Sequence, residues 1–153
     1  MPTLVAVALG ANLDDRRAHL DFAVSRLRQV LDAVRVSHLH ETNPVGVGPQ
    51  PRFLNGAVVG LFDGGPHALL DRLLAIERER GRQRPFPGAA RTLDLDLVLY
   101  GAQVVSEPHL TVPHPRFRER AFVLEPLAEI APELVDPVTG KTVGELWARL
   151  TRI

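Results

Sequence analysis

An α+β sandwich is the fold this sequence predicts, with a ferredoxin-like βαββαβ core and extra strands and helices toward the C-terminus. Three observations carry that expectation. Apolar runs of strand length fall at residues 3–9, 34–40, 53–62 and 91–101, two helical stripes lie among them in the order strand, helix, strand, strand, helix, strand, and 153 residues suit one compact domain, 1–153. Thr3 to Leu9 reads as a buried-type strand running into Gly10-Ala11-Asn12, after which Asp14 or Asp15 can cap a helix. In that helix Leu20, Ala23, Val24, Leu27, Val30 and Leu31 recur at helical spacing, while Arg16, Arg17, Arg26 and Arg28 make the wet face. Val34 to His40 reads as the second strand, and Asn43 to Pro51 as a loop punctuated by Pro and Gly. Phe53 to Phe62 is the third strand, Pro66 to about Arg80 the second helix, and Gly81 to Ala90 an irregular loop rich in Arg, Pro and Gly. The fourth strand runs from Arg91 to Gly101. A short Gln103-Val104-Val105 strand, the segment Leu110 to Pro115, helical stretches over about 116–130 and a helix-like Val143 to Leu150 complete the chain.

Composition narrows the function classes. Formal charge balances at zero, which argues against a general electrostatic nucleic-acid binder. The absence of cysteine excludes disulfides, thiolate nucleophiles and Cys-type zinc sites, and it fits a reducing, cytoplasmic compartment. The apolar opening from Pro2 to Ala11 lacks a basic leader and is far shorter than a membrane span, so no export signal or membrane partner is expected.

The most informative run is Arg91-Thr-Leu-Asp-Leu-Asp-Leu-Val-Leu-Tyr-Gly101. Strict alternation puts Asp94 and Asp96 on one face, ~6.5–7 Å apart along the strand, and Leu93, Leu95, Leu97 and Leu99 on the other. Asp is depleted in strands, so a pair at i and i+2 calls for a compensating partner. Mg²⁺ suits it, because that ion takes a few carboxylate oxygens and completes its shell with water and substrate phosphates. A strand with one wet face accounts for the same pattern. Immediately upstream, Arg78, Arg80, Arg82, Arg84 and Arg91 fall in a stretch whose one acid is Glu79. Guanidinium groups grip phosphate oxygens bidentately, and Arg82, Arg84 and Arg91 are the candidates; Arg78 and Arg80 suit a helix C-terminus. Glu77 continues the stripe of Leu70, Leu73 and Leu74, which turns its carboxylate toward the sheet for a supporting or metal-site role, or into an ordinary ion pair with a neighbouring Arg.

Phe53, Asn55, Ala57 and Val59 share a face of the third strand, so an aromatic ring and an amide are neighbours, an arrangement suited either to a flat hydrogen-bonding heterocycle or to a core. His114 sits between Pro113 and Pro115, which restrict its backbone and can aim its ring at a phosphate; a structural histidine reads the same way. His19, His38, His40 and His67 carry no comparable signal. Gly140-Lys141-Thr142 mimics the end of a phosphate-binding loop. That pattern needs a Gly where Val135 stands, and Asp136 to Gly140 reads instead as a turn.

Six segments occur in one order: Leu9-Gly-Ala-Asn-Leu13, Glu41-Thr-Asn-Pro-Val-Gly46, Gln50-Pro-Arg-Phe-Leu-Asn55, Gly81-Arg-Gln-Arg84, Arg91-Thr-Leu-Asp-Leu-Asp96 and Leu110-Thr-Val-Pro-His-Pro115. Together with Arg120 to Leu124 and Pro126 to Pro132 they resemble the 6-hydroxymethyl-7,8-dihydropterin pyrophosphokinases of folate biosynthesis, over nearly the whole chain. The resemblance implies transfer of the pyrophosphoryl group of ATP to the pterin hydroxymethyl oxygen, with release of AMP. It implies that Asp94 and Asp96 hold two Mg²⁺ ions, that Arg82 and Arg91 join them in catalysis, and that Arg82, Arg84 and Arg91 clamp phosphates. Glu77, Leu97, His109, Thr111, His114 and Arg120 match the ATP site. Phe53 and Phe122 would flank the pterin, while Asn55, Thr42, Pro44 and Val45 read its polar edge, with the two irregular loops closing over the reactants. The family is commonly monomeric, and its partners are the two small molecules, not nucleic acid. The chain departs from the family pattern at Ala11, Pro49 and Ala89-Ala90, of which Pro49 and Ala89-Ala90 bear on loop closure more than on chemistry. Its loop from Arg84 to Arg91 is short, with Phe86 the aromatic available to cover the pterin. A ferredoxin-like module that holds nucleic acid or nucleotide without catalysis and another metal-dependent nucleotidyl or phosphoryl enzyme are the competing readings.

Overall fold

The computed structural model describes residues 2–12, 15–42, 52–81 and 93–151. In chain order these form β1 (Thr3–Ala11), α1 (Arg16–Val30), β2 (Asp32–Val36), β3 (His40–Thr42), β4 (Phe53–Phe62), α2 (Pro66–Glu79), β5 (Asp94–Tyr100), β6 (Val105–Glu107), β7 (Leu110–Val112), a 3-10 turn at Phe117–Glu119, α3 (Ala121–Ile130) and α4 (Val143–Thr151). The main sheet runs β2-β4-β1-β5, with β3 also paired to β4, and β6 and β7 make a separate hairpin. Every pairing in the main sheet is antiparallel.

β1 lies between β4 and β5 and is buried on both faces, which is why it reads as a continuous apolar run rather than an alternation. On one face Val5, Val7 and Leu9 meet Leu20, Ala23 and Leu27 of α1 and Leu69, Leu73 and Ile76 of α2. On the other, Ala6, Ala8, Ala57 and Val59 meet Val123, Leu124 and Leu127 of α3 and Val143 and Leu146 of α4. The C-terminal helices therefore cover the second face, giving a mixed helix and sheet fold of three layers. Of the two candidate caps for α1, Asp15 serves: its Oδ1 accepts from the Ala18 N–H at 3.1 Å.

Four boundaries differ from the sequence-based expectation, each for a local reason. The strand expected over 34–40 is two strands, because the Ser37 hydroxyl takes a ladder position and accepts the Ala57 N–H at 2.9 Å. The strand expected at 103–105 falls at Val105–Glu107, since the Gln103 N–H closes a turn onto the Tyr100 carbonyl and Val104 is exposed. The helical stretch over 116–130 is a 3-10 turn followed by α3. In β5 the strict alternation breaks. Val7 pairs with Leu97 and Ala6 with Leu99, so Val98 is an extra residue, and beyond this bulge Leu99 joins Val98 in the second core instead of following Leu95 and Leu97 into the first.

The turn read at Asp136 to Gly140 is present, with the Gly140 N–H on the Asp136 carbonyl at 2.8 Å and Gly140 at φ 74. The Thr142 that follows caps α4 reciprocally with Glu145, which explains the resemblance of this segment to a loop-and-helix motif. Asp136 is fully buried and accepts from Arg118 Nε at 2.5 Å and Nη2 at 2.9 Å, Thr139 Oγ1 at 2.7 Å and the Val138 N–H at 3.0 Å. Burial opposes its charge, but the hydrogen bonds from Arg118, Thr139 and Val138 and the Arg118 charge outweigh it and hold the carboxyl below its usual range. A depressed carboxyl contributes stability that is complete above the unfolded-chain value, about 4, and is lost as pH falls through the lower folded value. Asp136→Asn should therefore lose about 3 kcal/mol at neutral pH. Thermal melts should show a midpoint lower by roughly 6–12 °C, with the gap to wild type closing below pH ~4.

Candidate active site on the α3 face of the sheet

β5 is the last strand of the sheet and brings both carboxylates to the α3 face. Asp94 pairs with Gly10 and Asp96 with Ala8, so the neighbouring strand offers no more than a methyl group beside either acid, and both are half-buried. From the α2 side, Glu77, only 2% exposed, accepts the N–H of Leu95 at 2.8 Å. The residue between the two acids is thus held by a third carboxylate, and Glu77 supports the strand from behind rather than standing open to solvent. Two carboxylates with little bulk beside them are a hard-oxygen donor set, the chemistry that Mg²⁺ accepts when water and phosphate fill its other positions. Among the described residues no three ligating side chains gather into a larger cluster.

The bulge serves the same neighbourhood. The Val98 carbonyl accepts the His114 N–H at 2.9 Å, tying the segment after β7 to β5. His114 Nδ1 in turn accepts from the Arg116 N–H at 3.2 Å. Burial lowers the His114 pKa, the Arg120 charge lowers it further, Asp94 pulls it up, and Arg116 lowers it again. The ring is therefore held neutral, with Nε2 left as its donor. Asp94, Arg116 and Arg120 each act on His114, and the four form the charged end of the site. Arg116 was missed in the sequence, where its one signal is its place two residues after His114.

The other end of the face is aromatic and amide. His40, Asn55, Gly10 and Asp94 lie in one transverse row across β3, β4, β1 and β5, which puts Asn55 and Asp94 two strands apart, roughly 10 Å. Asn55 is 5% exposed and donates from Nδ2 to Thr42 Oγ1 at 2.5 Å. Phe53, half-buried, pairs with Thr42. Phe122, at the start of α3, is half-buried with the Arg120 guanidinium 5.5 Å from its ring centroid, which links the aromatic end to the charged one.

The Leu97 side chain is 6% exposed and packs in the first core with Leu95, Leu110 and Val112, on the face opposite the acids, where the strand's alternation put it. His109 and Thr111 are exposed on the β6–β7 hairpin, anchored through buried Leu110 and Val112. Arg82, Arg84, Arg91, Pro44 and Val45 lie outside the described residues, as do Pro49, Phe86 and Ala89-Ala90. The described ends flanking those gaps, Thr42 and Arg52 on one side and Leu93 on the other, adjoin Asn55 and Asp94 in strand order.

Residues 6–132 match the family model described as 7,8-dihydro-6-hydroxymethylpterin-pyrophosphokinase (HPPK). The chain belongs to this family. The pyrophosphokinase is 43% identical over 146 residues to the 2-amino-4-hydroxy-6-hydroxymethyldihydropteridine pyrophosphokinase of Pseudomonas aeruginosa, covering 94% of this chain and 90% of that one. It is 40% identical to the enzyme of the same name from Bacillus subtilis, covering 98% and 91%. A solved structure of wild-type HPPK-DHPS from Plasmodium falciparum shares the fold, with a TM-score of 0.76 at 15% identity over 97% of this chain; the chain spans 45% of that longer protein. Pyrophosphoryl transfer to hydroxymethyldihydropterin in folate biosynthesis is accordingly the reaction class of this protein.

Gly10 separates the two ends of the row, and a Cβ there would stand 2.9 Å from Asn55 Oδ1. Its φ lies outside the left-handed range, so alanine fits the backbone and the conflict falls on the amide alone. Gly10→Ala should displace Asn55 from Thr42, raising the pterin KM on the order of tenfold. The ATP KM and the melting temperature should move little; steady-state kinetics with each substrate varied in turn, beside a thermal melt, check this.

Proposed function

We propose that this face transfers the β,γ-pyrophosphoryl group of ATP to 6-hydroxymethyl-7,8-dihydropterin. The hydroxymethyl oxygen attacks the β-phosphorus as the bond from that phosphorus to the α,β-bridging oxygen breaks, AMP leaves with the bridging oxygen, and the hydroxyl proton is released. The observation that carries this reading is the shared row: an amide fit to read a ring edge and a carboxylate fit for a phosphate-bound cation stand on one face at the separation two joined substrates need. Strand order β2-β4-β1-β5 supports a ferredoxin-like core, on one domain covering 1–153.

In this reading Asp94 and Asp96 would hold Mg²⁺, two ions by family resemblance, which when bound supply charge neutralisation along the triphosphate. Arg82, Arg84, Arg91, Arg116 and Arg120 grip phosphate oxygens, and Arg82 and Arg91 track the charge as it shifts toward AMP. Neutral His114 donates from Nε2 without adding a fixed charge. The Leu97 backbone, His109 and Thr111 border the nucleotide. Phe53 and Phe122 sandwich the pterin, while Asn55, Thr42, Pro44 and Val45 read its polar edge. Glu77 fixes the backbone between the acids instead of touching ATP. Zero net charge and the lack of cysteine support a cytoplasmic enzyme with small-molecule partners, and we take it as a monomer. Among the described residues no helix is long and apolar enough to cross a membrane.

Incubation of the protein with Mg²⁺, ATP and the pterin should give AMP and pterin diphosphate one for one. ADP in place of AMP overturns the reading in favour of a simple kinase or ATPase. Asp96→Ala, with an unchanged circular dichroism spectrum, should reduce kcat by roughly a hundred- to a thousandfold, and a wild-type rate would sink the assignment. Omitting Mg²⁺ and adding chelator should abolish turnover of the unmodified protein.

A further inference from the structure

α3 meets β3 through charge. His40 stands between two carboxylates of α3, with Nδ1 3.0 Å from Glu125 Oε1 and Nε2 3.2 Å from Glu129 Oε1. Two residues earlier, His38 donates its backbone N–H to Glu129 Oε2 at 2.9 Å and places Nδ1 2.8 Å from the same oxygen. The His40 ring thus bridges Glu125 and Glu129, one carboxylate at each nitrogen. Burial works against the charge on Glu129, but the hydrogen bonds from His38 and His40 outweigh it and its carboxyl titrates below the usual range.

These contacts sit beside the proposed pterin slot. On α3, Glu125 and Glu129 follow Phe122 by three and seven residues, on one helical stripe. On β3, His40 and Thr42 share a face and pair with Asn55 and Phe53 of β4. β3 has three residues, and among the described residues its one strand partner is β4. The two histidines and two glutamates tie its far side to α3.

We propose that His38, His40, Glu125 and Glu129 form a clamp that positions the pterin, setting the separation between Phe53 on the sheet and Phe122 on α3 and hence the width of the slot for a flat heterocycle. The inference rests on the pterin reading of that slot. His40 and Glu129 touch no substrate; they are positioning residues, and their effect falls on one substrate alone. The carboxylates of β5 lie three strands from His40 and are anchored independently by Glu77 and the Val98 bulge.

His40→Leu removes both ring contacts and leaves Thr42, Asn55 and the acids of β5 in place. With each substrate varied separately, the variant should show a pterin KM raised on the order of tenfold, with the ATP KM and kcat within about twofold of wild type. His40→Arg, whose fork can donate to both carboxylates, should recover most of the loss. If His40→Leu does not fold, the double variant Glu125→Gln/Glu129→Gln keeps the side-chain volumes and is read the same way. An unchanged pterin KM, or an equal change in both KM values and kcat, overturns the clamp. A wild-type protein that releases no AMP in the presence of the pterin overturns instead the reading on which the clamp rests.

Discussion

The site depends on a constraint in β1: the strand must be buried on both faces and yet contribute almost no side-chain volume to one of them. Val5, Val7 and Leu9 fill the face toward α1 and α2, whereas Ala6, Ala8 and Gly10 occupy the alternate positions. The two alanines let α3 settle onto the sheet. Gly10 is smaller still, so only backbone stands between Asn55 and Asp94 in the row. A larger residue would satisfy strand propensity and close the row. The cleft is thus the end of a packing gradient along a single strand.

β5 adds a second device, available because it ends the sheet. An end strand carries backbone groups with no strand beside them, and such groups need partners. Here one N–H, of Leu95, goes to Glu77, and one carbonyl, of Val98, goes to the His114 N–H. The bulge at Val98 shifts the alternation, so Leu99 packs in the second core, on the face that Asp94 and Asp96 already share. The edge that would otherwise invite another chain instead anchors the carboxylates and the histidine that act beside them.

Element order, the Phe53–Phe62 strand and the paired acids were legible in the sequence, because each rests on a period of two or 3.6 that local residues enforce. The turn at Asp136 was legible from its own residue types. What escaped depends on partners distant in the chain. The bulge at Val98 arises from register against β1, and the break at Ser37 from a side chain substituting in the ladder of β4. His38 and His40 looked unremarkable because Glu125 and Glu129 lie some ninety residues away. Arg116 stood in a stretch with too many arginines to be singled out.

α3 shows how far the site overrides local preference. A helix by itself favours acids in its first turn and bases in its last, in accord with its dipole. α3 has no acid in its first turn and no base in its last. Arg116, Arg118 and Arg120 precede its start, while Glu125, Glu129 and Glu133 gather toward and beyond its end. Each reversed charge finds a partner from elsewhere in the fold. Arg118 is held by buried Asp136, Glu129 by His38 and His40, and Glu133 by Arg35, which also donates to the Ile130 carbonyl at 2.8 Å. Arg116 and Arg120, at the end that faces the acids of β5, act on His114 beside Asp94. The helix start and its cations add to one positive field at the charged end of the row, which is where a triphosphate would be drawn. The helix tolerates this arrangement because tertiary ion pairs stabilise the end where its own dipole does not, a local inconsistency of the kind that marks a working site.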